Sequence, residues 1–124
     1  MRTVMHLLCA LLPVCGFAKL PAHAAEAPVR TFELTITANA VPADQRVLRA
    51  VRGERVTMRI ASDTAGELHI HGYRQEARLA AGGATELAFV ARATGRYRIE
   101  WHAAGRGGGD HHGPGLATLE VRPQ

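Results

Sequence analysis

Cysteine is nearly missing from these 124 residues, and its position matters more than its number. Both copies, Cys9 and Cys15, fall inside an apolar leader. From residue 25 onward the chain therefore has no disulfide, no thiolate nucleophile and no thiolate metal ligand. Serine is almost as scarce, with Ser62 the only one, and no serine, histidine and carboxylate motif is recognisable. Lacking these nucleophiles, the chain is expected not to be an enzyme. Methionine after the leader is reduced to Met58, which sits in a core pattern, so a Cu(I)-type methionine cluster is excluded. Lysine is reduced to Lys19. Past residue 24, 13 arginines face 11 acids, a net charge of +2. The arginines alternate with acids along the chain. A nucleic-acid binder concentrates its charge in a patch, so no nucleic-acid partner is expected.

The start of the chain has the layout of a secretory signal peptide. Arg2 gives it a basic beginning, an apolar run extends from about Val4 to Ala18, and Ala22-His23-Ala24 supplies a small-x-small ending. Cleavage is expected after Ala24, giving residues 1–24 as leader and 25–124 as one domain. An uncleaved anchor is the alternative, because Lys19 follows the run. The run is short of the roughly 20 residues of a membrane span, so no span is expected after cleavage. Export places the remaining 100 residues in the periplasm or outside the cell, where they are enough to bury a modest core.

The periodicity past the leader is that of strands. Phe32, Leu34 and Ile36 alternate with polar neighbours in RTFELTI, as do Val56, Met58 and Ile60 in RVTMRIAS. Leu68 and Ile70 alternate with His69 and His71, and Tyr97, Ile99 and Trp101 with Arg98, Glu100 and His102. TELAFVA and LATLEVRP complete the runs, with turn signals at Gly53, Gly66, Gly82-Gly83 and Gly95 between them. PADQRVLRAVRG reads either as a helix or as a short strand from Val47 to Val51. The valines on both sides of the Gly-Glu turn favour the strand. Seven to eight strands at this spacing predict an all-β antiparallel Greek-key β-sandwich.

Five histidines follow the leader, in two segments. His69 and His71 stand at i and i+2 on a strand, so both leave the same face. His102, His111 and His112 belong to the glycine-rich stretch WHAAGRGGGDHHGPG, where Asp110 is a further ligand or a hydrogen-bond partner for an imidazole. Each histidine taken alone is an ordinary solvent-facing residue. Together they form a candidate metal site, because imidazole ligates copper, zinc and nickel when several copies converge on one ion.

The run RVLRAVRGERVTMRIASDTAGELHIHGY, then LAAGGATELAFVARATGRYRIEWH, then LATLEVRP resembles the cupredoxin-like domains of bacterial envelope proteins. The shared features are a valine-turn-valine hairpin at Gly53, a His-x-His-Gly-Tyr strand end, a Gly-Gly turn, Thr-Gly-Arg-Tyr before the penultimate strand, and a closing Leu-x-Val. The resemblance covers about residues 30 to 122. It implies a sandwich with metal ligands at one end, His69 or His71 in the first-histidine place and His111 or His112 in the second. Trp101 stands in the cysteine slot and Gly115 near the axial methionine slot. Without a thiolate there is no blue-copper centre, and plastocyanin-like electron transfer is not expected.

Two functional expectations follow. The first is a metal-binding protein with a histidine-only site, made by three or four of His69, His71, His102, His111 and His112. It would hold a copper ion, Cu(II) ahead of Zn(II), for buffering, delivery or tolerance. The second is a metal-free cupredoxin-like module for structure or protein interaction, with an unidentified envelope partner.

Overall fold

The computed structural model of this chain describes residues 26–105 and 115–124. The leader, Asp110, His111 and His112 lie outside the described residues. Eight strands form: β1 (Val29–Ile36), β2 (Val47–Val51), β3 (Arg55–Ser62), β4 (Gly66–Ile70), β5 (Gln75–Leu79), β6 (Ala84–Val90), β7 (Gly95–Ala103) and β8 (Ala117–Arg122). They make a three-stranded sheet in the order β1-β3-β6 and a five-stranded sheet in the order β2-β8-β7-β4-β5. Among the described residues the only helical element is a 3-10 turn, Ala43–Gln45. No helix there is long and apolar enough to cross a membrane.

Alternation builds the core, because successive side chains on a strand point to opposite faces. Leu34 and Ile36 on β1, and Val56, Met58 and Ile60 on β3, are almost completely buried. They meet Leu68 and Ile70 on β4, Ile99 on β7, and Leu119 and Val121 on β8 from the other sheet. This is the expected all-β sandwich. Pairing is mixed: four of the pairings are antiparallel, but β1 runs parallel to β3 and β2 parallel to β8.

Both parallel pairs involve the strands that flank the turn at Gly53. The turn at Gly53 is not a hairpin, because β2 and β3 belong to different sheets. Here the chain crosses from one sheet to the other, so β2 must find its partner in β8 and β3 in β1. Valines on both sides of a tight turn are common to hairpins and to such crossings. Glu54 fixes the crossing. Its carboxylate accepts the Val51 backbone N–H at 2.8 Å and the Arg30 guanidinium at 2.9 and 3.3 Å. Gly53 N–H donates to Ala91 O and Ala91 N–H to Glu54 O, tying the turn to the β6–β7 connection.

Strand β5 carries no run that the sequence pattern singles out. Only Ala77 and Leu79 of QEARL are apolar, and the strand lies at a sheet edge, paired to β4 alone. An edge strand needs only one weak apolar stripe, so its signal is faint.

The hydrogen bond from Arg30 holds the Glu54 carboxyl below its ordinary value of 4.5, with the Val51 N–H acting in the same direction. Its contribution to stability is then present above pH 4.5 and is lost as pH falls through the lowered folded value. Glu54→Gln is expected to lower the melting temperature at neutral pH. The difference from the parent protein should shrink as pH falls below 4.5 in thermal melts. Met58→Ala, in the middle of the core, should cost about 2–5 kcal/mol in denaturant unfolding, whereas Arg55→Ala on the surface should stay within about 0.5 kcal/mol.

Candidate metal site

The alternation that buries Leu68 and Ile70 turns Glu67 and His69 to the outer face of the five-stranded sheet. On β7, burial of Ile99 turns Glu100 and His102 to that same face. Antiparallel register then sets Glu67 opposite His102 and His69 opposite Glu100. On the other side of β4, Glu76 of β5 faces His69 and Arg78 faces Glu67. Three strands thus contribute histidines and carboxylates to one patch.

His69 is at its centre. Its Nε2 lies 2.8 Å from Glu67 Oε1 and its Nδ1 3.5 Å from Glu76 Oε1. The His102 ring meets it edge-on, with centroids 5.0 Å apart. One ligand atom from each of Glu67, His69 and Glu76 falls within 4.8 Å of the others. Ligands bound at about 2.0–2.2 Å around one zinc or copper ion are separated by up to about 4.4 Å, so a small inward shift suffices. A neutral imidazole has one N–H and one lone pair and can donate to only one of its two carboxylates. A cation among the three groups would use the remaining lone pairs.

Beside this trio, Glu100 gathers a second group. Its Oε2 lies 2.8 Å from His71 Nε2 and 3.7 Å from His102 Nε2, while its Oε1 forms an ion pair with the Arg98 Nε at 2.9 Å. The carboxylate is only 10% exposed. Burial works to raise its pKa, but the His71 hydrogen bond and the charges of His71, Arg98 and His102 together hold it below the ordinary value. Glu67 is lowered as well, chiefly by the hydrogen bond from Arg78 at 2.6 Å. Both carboxylates are therefore ionised at neutral pH and able to ligate.

His71 owes its position to the Gly-Tyr pair after it. Gly72 takes a φ of 80°, and a Cβ there would strike the Tyr97 ring at 2.7 Å. The Tyr73 ring meets Phe89 at a tilt and Tyr97 edge-on, and its hydroxyl donates to Ala93 O at 3.0 Å. These contacts anchor the β4–β5 turn against the β6–β7 connection.

The histidines of the two sequence segments do meet, through His69 and His102. His111 and His112 fall outside the described residues. Trp101, implied by the resemblance to fill the cysteine slot, stands across from Leu68 on the opposite side of the sheet from His69. Its indole packs over Gly66, and its Nε1–H donates to Asn39 Oδ1 at 3.1 Å. The histidine patch and Trp101 therefore lie on opposite sides of the sheet. Sequence reasoning missed the carboxylates, although a signal existed: Glu-x-His occurs twice, at Glu67-Leu68-His69 and Glu100-Trp101-His102. Glu76 gave no such signal, because β5 itself went unread.

No protein-family model matches this chain, and no curated protein matches its sequence. Solved structures do match in shape. One is a multicopper oxidase, 16% identical, with 77% of this chain aligned to 42% of that one at a TM-score of 0.58. Another is a copper-binding protein in its apo form, solved by NMR, 6% identical, with 78% of this chain aligned to 91% of that one at 0.56. The multicopper oxidase of Pseudomonas thermotolerans aligns over 79% of this chain and 30% of its own, at 18% identity and 0.55. The fold is cupredoxin-like. This chain spans less than half the length of either oxidase, and identities this low carry shape alone.

The close seat of Trp101 on Gly66 is open to test. A Cβ at Gly66 would land on the indole ring and within 2.6 Å of the His102 carbonyl. Gly66→Val is expected to cost about 1–3 kcal/mol by overpacking. Because Trp101 is the one tryptophan, its emission should shift to the red as the ring moves outward.

Proposed function

We propose that this chain is a periplasmic metal-binding protein of cupredoxin-like fold that takes up a divalent ion, Cu(II) ahead of Zn(II). It acts in metal buffering, delivery or tolerance and carries no blue-copper electron transfer. The observation that carries the reading is the convergence of His69 and His102, from two paired strands, on carboxylates already ionised around them. Imidazole and carboxylate together suit Cu(II) and Zn(II), and the Irving–Williams order ranks Cu(II) first. The copper-binding and oxidase neighbours support copper, as proteins of the same shape. On this reading the site is mixed, with His69 and His102 ligating together with Glu67 or Glu76. His71 is held on Glu100 beside them, and any part for His111 and His112 rests on the sequence alone. The chain's role is to bind, with no catalytic step assigned to it.

One observation favours the metal-free module instead. His69, His71 and His102 each already face a carboxylate, so the polar groups of the patch have partners without a metal. Metal uptake separates the two readings. The untagged protein should bind one equivalent of Cu(II), quenching Trp101 emission through the paramagnetic ion, while Zn(II) should bind without quenching. His69→Ala and His102→Ala should each weaken binding by about tenfold or more, and affinity should fall as acid protonates the ligands. His111→Ala reports whether the glycine-rich segment takes part. If neither ion is taken up in stoichiometric amount, the metal reading fails and the module reading stands.

A further inference from the structure

The outer face of the five-stranded sheet divides by charge. Its β4–β5 half holds the histidine–carboxylate patch. Its β2–β8–β7 half holds a cleft of about 390 Å³ lined by Arg46, Arg96, Arg98, Gly115, Leu116, Ala117 and Thr118. Among the described residues, none that line it is acidic.

Register explains the grouping. Thr118 lies between Val47 of β2 and Arg98 of β7, and its N–H donates to the Arg46 carbonyl at 2.9 Å. Arg46 therefore approaches from the start of β2 and Arg96 and Arg98 from alternate positions along β7, all on the face where Thr118 presents its hydroxyl. Of the nearest carboxylates, one is engaged outside the cleft and the other pairs with Arg98. Glu120, opposite Arg96 in register, pairs with Arg49 at 3.3 Å and with Arg122 at 3.5 Å. Glu100 is held by His71 and Arg98. Both Arg46 and Arg96 are exposed at the cleft.

We propose that this cleft binds a small multivalent oxyanion, a polycarboxylate or a phosphate. Guanidinium groups stay charged at any physiological pH and present paired N–H donors that match two oxygens of a carboxylate or phosphate. Arg46 and Arg96 facing one concave surface beside Thr118, with Arg98 held by Glu100 next to them, favour an anion with several oxygens over a single monovalent one. None of its lining residues belongs to the trio around His69, and the two sites touch only where Arg98 shares Glu100 with His71 and His102.

The test is a titration of the full-length protein in buffer stripped of metal by chelating resin, followed by backbone amide NMR. Inorganic phosphate and citrate are the two probes, with sodium chloride matched for ionic strength as the control. Saturable one-to-one shifts are expected, largest at Arg46, Arg96 and Thr118. Saturation by phosphate alone assigns a phosphate ligand, and saturation by citrate alone assigns a polycarboxylate. The double variant Arg46→Gln/Arg96→Gln should weaken binding by about tenfold or more, since two charge-assisted donors are lost. Arg55→Gln, on the other sheet, should leave it unchanged. Shifts that do not exceed those of chloride, or equal weakening by Arg55→Gln, would show only general charge attraction and overturn the proposal. Loss of metal binding in a separate experiment would leave this outcome untouched.

Discussion

The pairing of β4 with β7 is the constraint on which the rest depends. In that register Leu68 meets Trp101 on one face while His69 meets Glu100 on the other. The side-chain period of a strand is two, so a slip of one residue would send Leu68 and Ile70 to water and bring His69 and His71 into the core. Burial of Leu68, Ile70 and Ile99 thus selects the register, and the register alone assembles the polar patch. No ion pair in the patch needs to contribute much stability for the arrangement to persist. The apolar face carries the energy, and the polar face is set by it.

A second constraint governs topology. The crossing at Gly53 sends β2 and β3 to different sheets, and Glu54 makes that crossing rigid by accepting a backbone N–H and the Arg30 side chain at once. Without such a clamp, β2 and β3 could pair as a hairpin, since both have the required apolar alternation. The hairpin would remove β2 from β8 and leave the five-stranded sheet one strand narrower. The arginine half of the outer face depends on the same crossing, because Arg46 reaches Thr118 only when β2 lies parallel to β8.

The fold was legible in the sequence to the extent that strands alternate. RTFELTI, RVTMRIAS and ELHIH show their apolar faces directly, and Val47–Val51 emerges as a strand with the bounds read from the sequence. Edge strand β5 was not legible, because one weakly apolar face leaves little pattern. Pairing direction was not legible either, since alternation is identical in parallel and antiparallel strands. In the site, the shared face of His69 and His71 could be read from spacing. Their meeting with His102 needed the register of two strands about thirty residues apart. Parity along β7 places Trp101, which the resemblance implies for the cysteine slot, on the opposite side of the sheet from His69.

The character of the patch bears on what a site there can do. Its histidines are about one-third to one-half exposed, and its carboxylates already hold arginines or imidazoles. A metal arriving there must displace existing hydrogen bonds, and each displaced contact subtracts from the apparent affinity. An open face also lets an incoming ligand from another molecule reach the ion before the last protein ligand leaves. Both effects favour exchange over permanent retention. A buried copper centre built for electron transfer has the opposite design, with ligands held rigid behind an apolar wall. On the proposed metal-binding reading, the exposed and prepaired groups around His69 would suit exchange of an ion rather than its retention.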